Sequence, residues 1–247
     1  MSNSNLVSYT RISPNRNSPR NHAIDRISIH CVVGQCTAER IGEIFAPESR
    51  EASSNYGIGL DGRIGMYVKE KDRSWCTSSG ANDHRAVTIE VASDTAHPYA
   101  VKAAAFSALL DLCTDICKRN GKKRLLWFGD KEKTLAYTPK ADEMVLTVHR
   151  WFASKACPGE YLYSRHGEIA AEVTKRLAAA DKPAGTGDNP SAWAKAATEY
   201  CKRKGIFAGD GAGNFDWQKP ITREQVAAVL YRTLERAGLL EALPDKK

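Results

Sequence analysis

The segment that decides the fold lies near the N-terminus and reads Ile24-Asp25-Arg26-Ile27-Ser28-Ile29-His30-Cys31-Val32-Val33. It is rich in β-branched residues and is bounded by Asn21 and Gly34, which is typical of a β-strand. His30 lies toward its end, where a side chain reaches the rim of a sheet. The segment therefore predicts a strand that brings a candidate ligand to that rim.

Other strands are predicted further along the chain. Asp61-Gly62-Arg63 separates the apolar segments 56–60 and 64–68, and Asp-Gly in this context is a strong hairpin signal. Strands are also predicted over 86–92 and 146–149.

Two long helices complete the larger part of the chain. Apolar residues recur at helical spacing over 98–120, and a second helix is predicted over 164–180. Residues 1–22 are rich in Asn, Ser, Arg and Pro and are predicted to form an irregular arm. Strands alternating with helices predict an α/β fold.

The composition is that of an ordinary globular protein. Of 247 residues, 42% are hydrophobic and 26% are charged, which excludes collagen-like, coiled-coil and mostly disordered chains. The apolar runs are far shorter than the roughly 20 residues of a membrane-spanning helix, so no membrane insertion is expected. The net charge of +7 favours an anionic partner. Nucleic acid is not expected, because the charge is spread along the chain and no groove-reading motif occurs.

The cysteines indicate the redox environment. The chain contains Cys31, Cys36, Cys76, Cys113, Cys117, Cys157 and Cys201. An odd number prevents a closed set of disulfides, and the lack of a CxxC pair excludes zinc-ribbon spacing. These facts favour synthesis in a reducing cytosol. The first residues also lack the apolar core of a secretory signal peptide.

The sequence divides into two domains. Residues 1–180 form the larger one, and a linker is predicted over 181–190, where Pro, Gly and polar residues dominate. Residues 191–247 are predicted to form a small helix–loop–helix unit. Its first helix covers 191–204, and its second begins at Thr222-Arg223-Glu224-Gln225, which has the form of a capping box.

His30, His149 and Cys157 are candidate zinc ligands. Each histidine ends a predicted strand, and Cys157 lies in a loop that continues into Pro158-Gly159. Two imidazoles and a thiolate would leave the fourth zinc position for water, as catalytic sites do. The spacing matches no compact metal motif, and a structural role for each residue is the competing interpretation.

Five regions occur in a specific order: Ile27-Ser28-Ile29-His30, Ser53-Ser54-Asn55-Tyr56-Gly57-Ile58-Gly59 with Asp61-Gly62-Arg63-Ile64, Asn82-Asp83-His84-Arg85-Ala86-Val87-Thr88-Ile89-Glu90-Val91, Thr147-Val148-His149, and Lys155-Ala156-Cys157-Pro158-Gly159. Together they resemble the zinc-dependent type-2 N-acetylmuramoyl-L-alanine amidases, which include many phage endolysins and share a fold with peptidoglycan-recognition proteins. The resemblance covers about residues 20–178. It implies a mixed central β-sheet flanked by helices and one Zn²⁺ bound by His30, His149 and Cys157.

The resemblance also implies a reaction. Amidases of this family hydrolyse the amide between N-acetylmuramic acid and the L-alanine of the stem peptide with zinc-activated water. Glu90 matches the family position that carries a proton from water to the leaving amine. Lys155 matches the position whose ammonium stabilises the oxyanion. A solvated strand-end carboxylate and an ordinary surface cation are the competing interpretations.

Three residues are candidate substrate contacts. Trp75 and Trp151 are the aromatic residues nearest to the motif regions, and core packing is the alternative for both. His84 is expected either to line the groove or to bond to a neighbouring loop. Some relatives have a catalytic tyrosine at the position that Ser54 occupies here, so Tyr56 is predicted to pack in the interior.

Two of the other cysteines are placed by their neighbours. Cys31 follows His30 on the same strand, so its side chain is expected on the opposite face. Cys76 follows Trp75 shortly after the predicted hairpin and is expected near the groove.

The C-terminal unit contains Trp193, Gly205-Ile206-Phe207, Gly209-Asp210-Gly211, Asn214-Phe215 and Pro220-Ile221-Thr222-Arg223-Glu224-Gln225. This set resembles a single S-layer homology motif, a module that binds cell-wall polymers and often occurs in threes. Arg223 is the candidate contact to an anionic secondary cell-wall polymer, with a solvated side chain as the alternative. Oligomerisation through the unit would supply the missing copies.

Together these resemblances predict a phage or prophage endolysin that degrades peptidoglycan during host lysis. It would be made in the bacterial cytoplasm without a signal peptide and would act on the wall after release. A host autolysin with the same activity and a non-catalytic peptidoglycan-recognition protein are the alternatives. Glu90, Lys155 and Cys157 together argue against pure recognition, which needs no nucleophilic water.

Overall fold

The computed structural model describes residues 2–181, 189–210 and 214–240. The chain divides into two units, Met1–Ala179 and Ala180–Lys247. Most of the linker predicted over 181–190 lies outside the described residues.

The first unit contains strands and helices in alternation. Its strands are β1 (Val7–Thr10), β2 (Arg16–Asn17), β3 (Arg26–Cys31), β4 (Tyr56–Ile58), β5 (Ile64–Met66), β6 (Arg73–Ser74), β7 (Ala86–Val91), β8 (Arg124–Leu126) and β9 (Glu143–Thr147). Its helices are α1 (Ala38–Phe45), α2 (Gly80–Asp83), α3 (Ala103–Arg119), α4 (Lys131–Ala136), α5 (Gly159–Tyr163) and α6 (His166–Asp181). Short 3-10 helices occur at Glu48–Arg50 and His149–Trp151.

A seven-stranded sheet in the order β1-β5-β4-β7-β3-β9-β8 forms the centre of this unit. Strands β4 and β5 pair antiparallel, whereas the other neighbours pair parallel. Strands β2 and β6 form a separate antiparallel ribbon. The predicted α/β fold with a mixed central sheet flanked by helices is confirmed.

The two faces of the sheet differ in polarity. Alternate residues of β3 point to opposite faces, and Ile27, Ile29 and Cys31 join the main core. Helices α3 and α6 pack on this face through Leu109, Leu112, Ile169 and Val173. Each such aliphatic side chain contributes roughly 1.5–3 kcal/mol by its burial. As expected, Cys31 therefore lies on the face opposite to His30.

The other face is lined by buried hydroxyl groups. Ser28 on β3 hydrogen-bonds to the hydroxyl of Thr147 on β9, and Asn82 Nδ2 donates to Ser28 Oγ at 3.0 Å. Thr88 on β7 is fully buried and bonds to Ser74 at 2.7 Å. His30 and Glu90 continue this polar row toward the carboxyl ends of their strands.

The predicted hairpin is confirmed. Gly62 has a φ of +85°, which glycine adopts at low cost. Asp61 Oδ1 accepts a hydrogen bond from the Arg63 N–H at 3.0 Å and stabilises the turn. Gly57 on β4 is also required, because an added Cβ would lie 2.6 Å from Tyr67 Cε2.

The structure corrects three predicted boundaries. Residues 1–22 are not an irregular arm, since β1 pairs with β5 at the sheet edge and β2 pairs with β6. Helix α3 begins at Ala103 and not near residue 98, because Tyr99 has a φ of +60° that no right-handed helix contains. Strand β9 ends at Thr147, and His149 opens a 3-10 helix.

The N-terminal segment is tied to the sheet by a buried polar network. The Ser4 N–H donates to Tyr56 Oη at 2.9 Å, and Tyr56 donates to Glu70 Oε1 at 2.7 Å. Arg119 on α3 then pairs with Glu70 at 2.6 Å. Tyr56 is fully buried, so the prediction that it packs in the interior is confirmed.

The second unit is a helix–loop–helix, as predicted. Its helices are α7 (Lys195–Arg203), preceded by a 3-10 helix at Ala192–Ala194, and α8 (Arg223–Ala237). Thr222 and Gln225 form the predicted capping box at the start of α8. Ser191 precedes the 3-10 helix but makes no side-chain capping bond. No helix in the described part of the chain is both long and apolar enough to span a bilayer.

Candidate metal centre and active site

The three predicted zinc ligands lie together at the carboxyl edge of the sheet. Ligand atoms of His30, His149 and Cys157 are all within 4.8 Å of one another. His30 Nδ1 is 3.2 Å from Cys157 Sγ, and the two imidazole rings have centroids 5.2 Å apart. His149 and Cys157 follow His30 by 119 and 127 positions in the sequence. The structure brings the three residues together from a strand, a 3-10 helix and a loop.

Each ligand is positioned by the local backbone. His30 is held by parallel pairing of β3 with both β7 and β9. His149 opens a 3-10 helix just after β9, and the Ser78 hydroxyl lies 3.0 Å from its Nε2. The Cys157 loop is joined to this helix by a hydrogen bond from the Arg150 N–H to the Cys157 carbonyl at 3.2 Å.

The turn after Cys157 requires glycine. Gly159 has a φ of +79°, and a Cβ there would lie 2.7 Å from Tyr99 Cβ. The Tyr161 N–H donates to the Pro98 carbonyl at 2.9 Å, which fixes the same region of chain. The loop that carries Cys157 is therefore packed against the segment before α3.

The electrostatics of the site suit metal binding. Burial holds the pKa of His30 well below its usual value, and the nearby His149 and His166 lower it further. Burial, and the charge of Lys155, lower the pKa of His149 as well. Both rings are therefore neutral, which is the form that binds a metal.

The chemistry of the donor set fits a cation at this position. The hydrogen bond with Cys31, together with burial, raises the pKa of Cys157, so without a cation the thiol stays protonated. A bound cation would stabilise the thiolate. A donor set of two imidazoles and one thiolate suits zinc.

Glu90 lies beside this group because of strand register. Residues His30 and Glu90 are paired in the β3–β7 ladder, and His30 Nδ1 is 4.0 Å from Glu90 Oε1. The Glu90 side chain is 14% exposed. Burial, reinforced by Cys31, raises the pKa of Glu90 to about 8, while Arg50 and the Cys76 thiol act in the opposite direction. A carboxyl group with this pKa can exchange protons near neutral pH.

Cys76 is a member of the site that the sequence could only place loosely. Its Sγ lies 3.9 Å from Glu90 Oε1, and ligand atoms of Cys76, Glu90 and His30 are within 4.8 Å of one another. It therefore lies beside the candidate ligand group. Its place shortly after the predicted hairpin was the only local signal in the sequence.

Lys155 is exposed in the loop before Cys157. Its charge contributes to the lowered pKa of His149. The Lys155 N–H donates to the Ala153 carbonyl at 2.8 Å and shapes the loop.

The three candidate substrate contacts have different surroundings. Trp75 is partly buried and donates from Nε1 to Asn17 Oδ1 at 2.6 Å. Trp151 is only 9% exposed and stacks on Trp127 at a centroid distance of 5.1 Å, so core packing describes it and an open sugar platform does not.

His84 is not brought to the ligand group. It precedes β7, whereas Glu90 lies near the other end of that strand. Its Nδ1 accepts a hydrogen bond from the Asn21 N–H at 3.0 Å. Of the two expectations for His84, the bond to a neighbouring loop is the one observed.

The second unit has a pocket of its own, with a volume of about 580 Å³. Phe215 and Trp217 stack at a centroid distance of 5.1 Å beside it, and Lys219 and Arg232 also line it. Arg223, the predicted polymer contact, is not among the lining residues. The reason is the helix face: Gln225, Ala228, Val229 and Arg232 line the pocket at helical spacing, whereas Arg223 lies on the opposite face of α8.

The carboxyl edge of this α/β sheet carries two imidazoles, a thiol and a buried carboxyl group, side chains that could hold a metal ion beside a proton carrier. Residues 19–160 match the N-acetylmuramoyl-L-alanine amidase family, and the chain belongs to this family. It is thus a peptidoglycan amidase. Residues 188–227 match the S-layer homology domain.

The chain is also similar to several solved structures at low sequence identity. One is the "Se-Met AmpD derivative", at 17% identity, covering 69% of this chain and 99% of that chain, with a TM-score of 0.48. Another is the endolysin amidase LysCS from Clostridium intestinale URNW, at 19% identity, 68% and 92% coverage and a TM-score of 0.46. The catalytic domain of XlyA aligns at 13% identity, 67% and 97% coverage and a TM-score of 0.47. No curated protein matches the chain.

Proposed function

We propose that this amidase is an endolysin that uses one zinc ion to cleave the bond between N-acetylmuramic acid and L-alanine. The observation that carries the proposal is the juxtaposition of His30, His149 and Cys157 with the buried carboxyl group of Glu90 at one sheet edge. Such a bound ion supplies a Lewis acid and lowers the pKa of water.

The side chains of the site bind the ion and transfer the proton. His30, His149 and Cys157 hold the ion. Glu90 takes a proton from the attacking water and passes it to the leaving amide nitrogen. To act as a base it must first be ionised, and a neighbouring cation would lower its pKa from the value of about 8 that burial gives it.

Lys155 is proposed to stabilise the negative charge on the oxygen of the tetrahedral intermediate. Its exposed ammonium lies close enough to His149 to lower the pKa of that ring. A cation at the rim of the site stabilises the negative charge that develops on the carbonyl oxygen during amide cleavage.

The second unit is proposed to hold the enzyme on an anionic cell-wall polymer. Stacked Phe215 and Trp217 suit contact with sugar rings, and Arg232 suits an acidic substituent. Lys219 is already paired with Asp216 at 2.9 Å. We therefore move the proposed anionic contact from Arg223 to Arg232. Oligomerisation through this unit stays a prediction, which analytical ultracentrifugation of the full chain tests.

The redox state of the cysteines indicates the compartment in which the protein is made. All seven are free thiols in the structure, which agrees with synthesis in a reducing cytoplasm. We propose that the enzyme reaches the wall after release during host lysis. A host autolysin would have the same site.

End-group analysis tests the proposed reaction. Purified Gram-positive-type walls treated with the protein should gain L-alanine amino termini without new reducing sugars. Metal analysis of the same preparation should give one zinc per chain. New reducing ends would contradict an amidase, and binding without new termini would favour the non-catalytic alternative.

A further inference from the structure

His30 belongs to two groups of potential metal ligands. It is shared by the group with His149 and Cys157 and by the group with Cys76 and Glu90. Its Nδ1 lies 3.2 Å from Cys157 Sγ and 4.0 Å from Glu90 Oε1, so the same nitrogen faces both groups. One nitrogen lone pair coordinates one ion, so the two positions exclude each other.

The Cys76 thiol is held in place by a buried carboxylate. Asp83, which is 2% exposed, accepts from the Cys76 N–H at 3.0 Å and from the Thr77 hydroxyl at 2.6 Å. It also accepts from the Thr77 N–H at 3.2 Å. These bonds fix the backbone on both sides of the Cys76 carbonyl and leave the side chain over Glu90. The contact is therefore built into the fold.

One atom of this second group lacks a partner. Glu90 Oε2 is buried and has no hydrogen bond within the described part of the chain. A buried polar atom without a partner carries a desolvation cost that a bound cation would offset. One imidazole, one thiolate and one carboxylate are all accepted zinc ligands.

We propose that His30, Cys76 and Glu90 form an alternative position for the divalent ion, next to the position formed by His30, His149 and Cys157. When the ion moves there, the Cys76 thiol releases its proton to solvent and binds as thiolate, with no change of oxidation state.

This position would be an inactive state. A carboxylate that coordinates the ion cannot take a proton from the attacking water, so occupation removes Glu90 from its role. That consequence rests on the proposed function, whereas the existence of the position does not. A cobalt-binding measurement therefore tests the position separately from the wall-digestion assay.

The test starts from full-length Cys157→Ser, which removes the only thiol of the first group. Cobalt(II) added to this variant should still give a near-ultraviolet thiolate-to-cobalt charge-transfer band. The band should be lost in Cys157→Ser/Cys76→Ser. It should persist in the matched control Cys157→Ser/Cys36→Ser, because Cys36 is also a partly exposed free thiol but belongs to neither group.

Absence of the band from Cys157→Ser would overturn the proposal. Its persistence after removal of Cys76 would do so too, since another thiol such as Cys31 would then be the ligand. If the double variant does not fold, as judged by circular dichroism, alkylation of Cys157→Ser decides the question. Cobalt should protect Cys76 from iodoacetamide and leave Cys36 reactive, and an unprotected Cys76 would again overturn it.

Discussion

Glu90 owes its place to backbone pairing. Its register with His30 puts both side chains on one face, and a slip of one residue would turn the carboxyl group into the apolar core. Tertiary structure thus sets both its position and its raised pKa.

We expect Glu90→Gln to lower kcat by roughly 100- to 10 000-fold, the usual contribution of a general acid–base group. Zinc content should not change, because the first ligand group is intact. Release of L-alanine termini and metal analysis measure the two effects. Glu168→Gln is the control, since Glu168 is 55% exposed and pairs with Arg165 on the surface. A fully active Glu90→Gln protein would show that another residue carries the proton.

His166 predicts a pH dependence of stability. It is fully buried beside Trp127, and burial lowers its pKa from 6.5 to about 4. The unfolded chain binds the proton near pH 6.5 and the folded one only near pH 4. The stability conferred by the neutral ring is therefore fully present above the unfolded pKa and is lost as the pH falls toward 4.

Between pH 7 and pH 5, the wild type should lose about 2 kcal/mol more unfolding free energy than His166→Gln. Urea unfolding at both pH values measures this difference, and contributions from other groups cancel between the two proteins. Equal losses would mean that His166 titrates in the folded protein as it does in the unfolded chain.

The sequence predicted most of the site but not all of it. His30, His149, Cys157 and Glu90 could be proposed because the short motifs around them resemble those of the amidase family. The partners of Cys76 could not, because Asp83 and Glu90 reach it only through the packing of β6, α2 and β7. His84 lies within a motif yet sits at the opposite end of β7 from Glu90.

At the scale of elements, α2 acts as an anchor for the loop that carries Cys76. Its last residue, Asp83, receives three hydrogen-bond donors from Cys76 and Thr77. We expect Asp83→Ala to lower the free energy of unfolding by roughly 2–5 kcal/mol, because those donors lose their buried acceptor.

Denaturant unfolding of Asp83→Ala measures this cost. Asp111→Ala is the matched control and should change stability by less than about 1 kcal/mol, because Asp111 is 56% exposed in its pair with Arg176. A cost for Asp83→Ala no larger than that of the control would contradict the anchoring role.

The predicted elements were mostly those with strong local signals, but not every local signal was recognised. The hairpin at Asp61-Gly62 and the capping box at Thr222 each need only a few consecutive residues. Strand β1 pairs with β5, more than fifty residues away. Its residues Val7, Tyr9 and Thr10 do favour a strand, but the Asn-, Ser- and Pro-rich composition of the surrounding segment favoured an irregular arm. Helix α1 did have a local signal, with Thr37 as its cap and buried Ala38, Ile41 and Phe45 at helical spacing.

At the scale of the whole molecule, the amidase match falls in the first unit and the S-layer homology match in the second. We expect Trp217→Ala to weaken co-sedimentation with walls roughly tenfold or more, since truncating a central aromatic contact commonly costs about 2 kcal/mol. Turnover of a soluble muropeptide should not change. Trp193→Ala is the control, because Trp193 is 89% exposed and does not line the pocket. Equal wall binding by both variants would exclude the pocket.

The family match begins at residue 19, but the sheet begins with β1 at Val7. Strand β1 covers the hydrogen-bonding edge of β5, and the segment before it is bonded to Tyr56 and Arg119. A protein that lacks residues 1–18 would expose this edge of β5. Unpaired backbone groups on a strand edge can pair with strands of other chains. We therefore expect the shortened protein to aggregate in light scattering where the full chain stays dispersed. That result would mean that the outermost strand protects β5 from pairing with other chains.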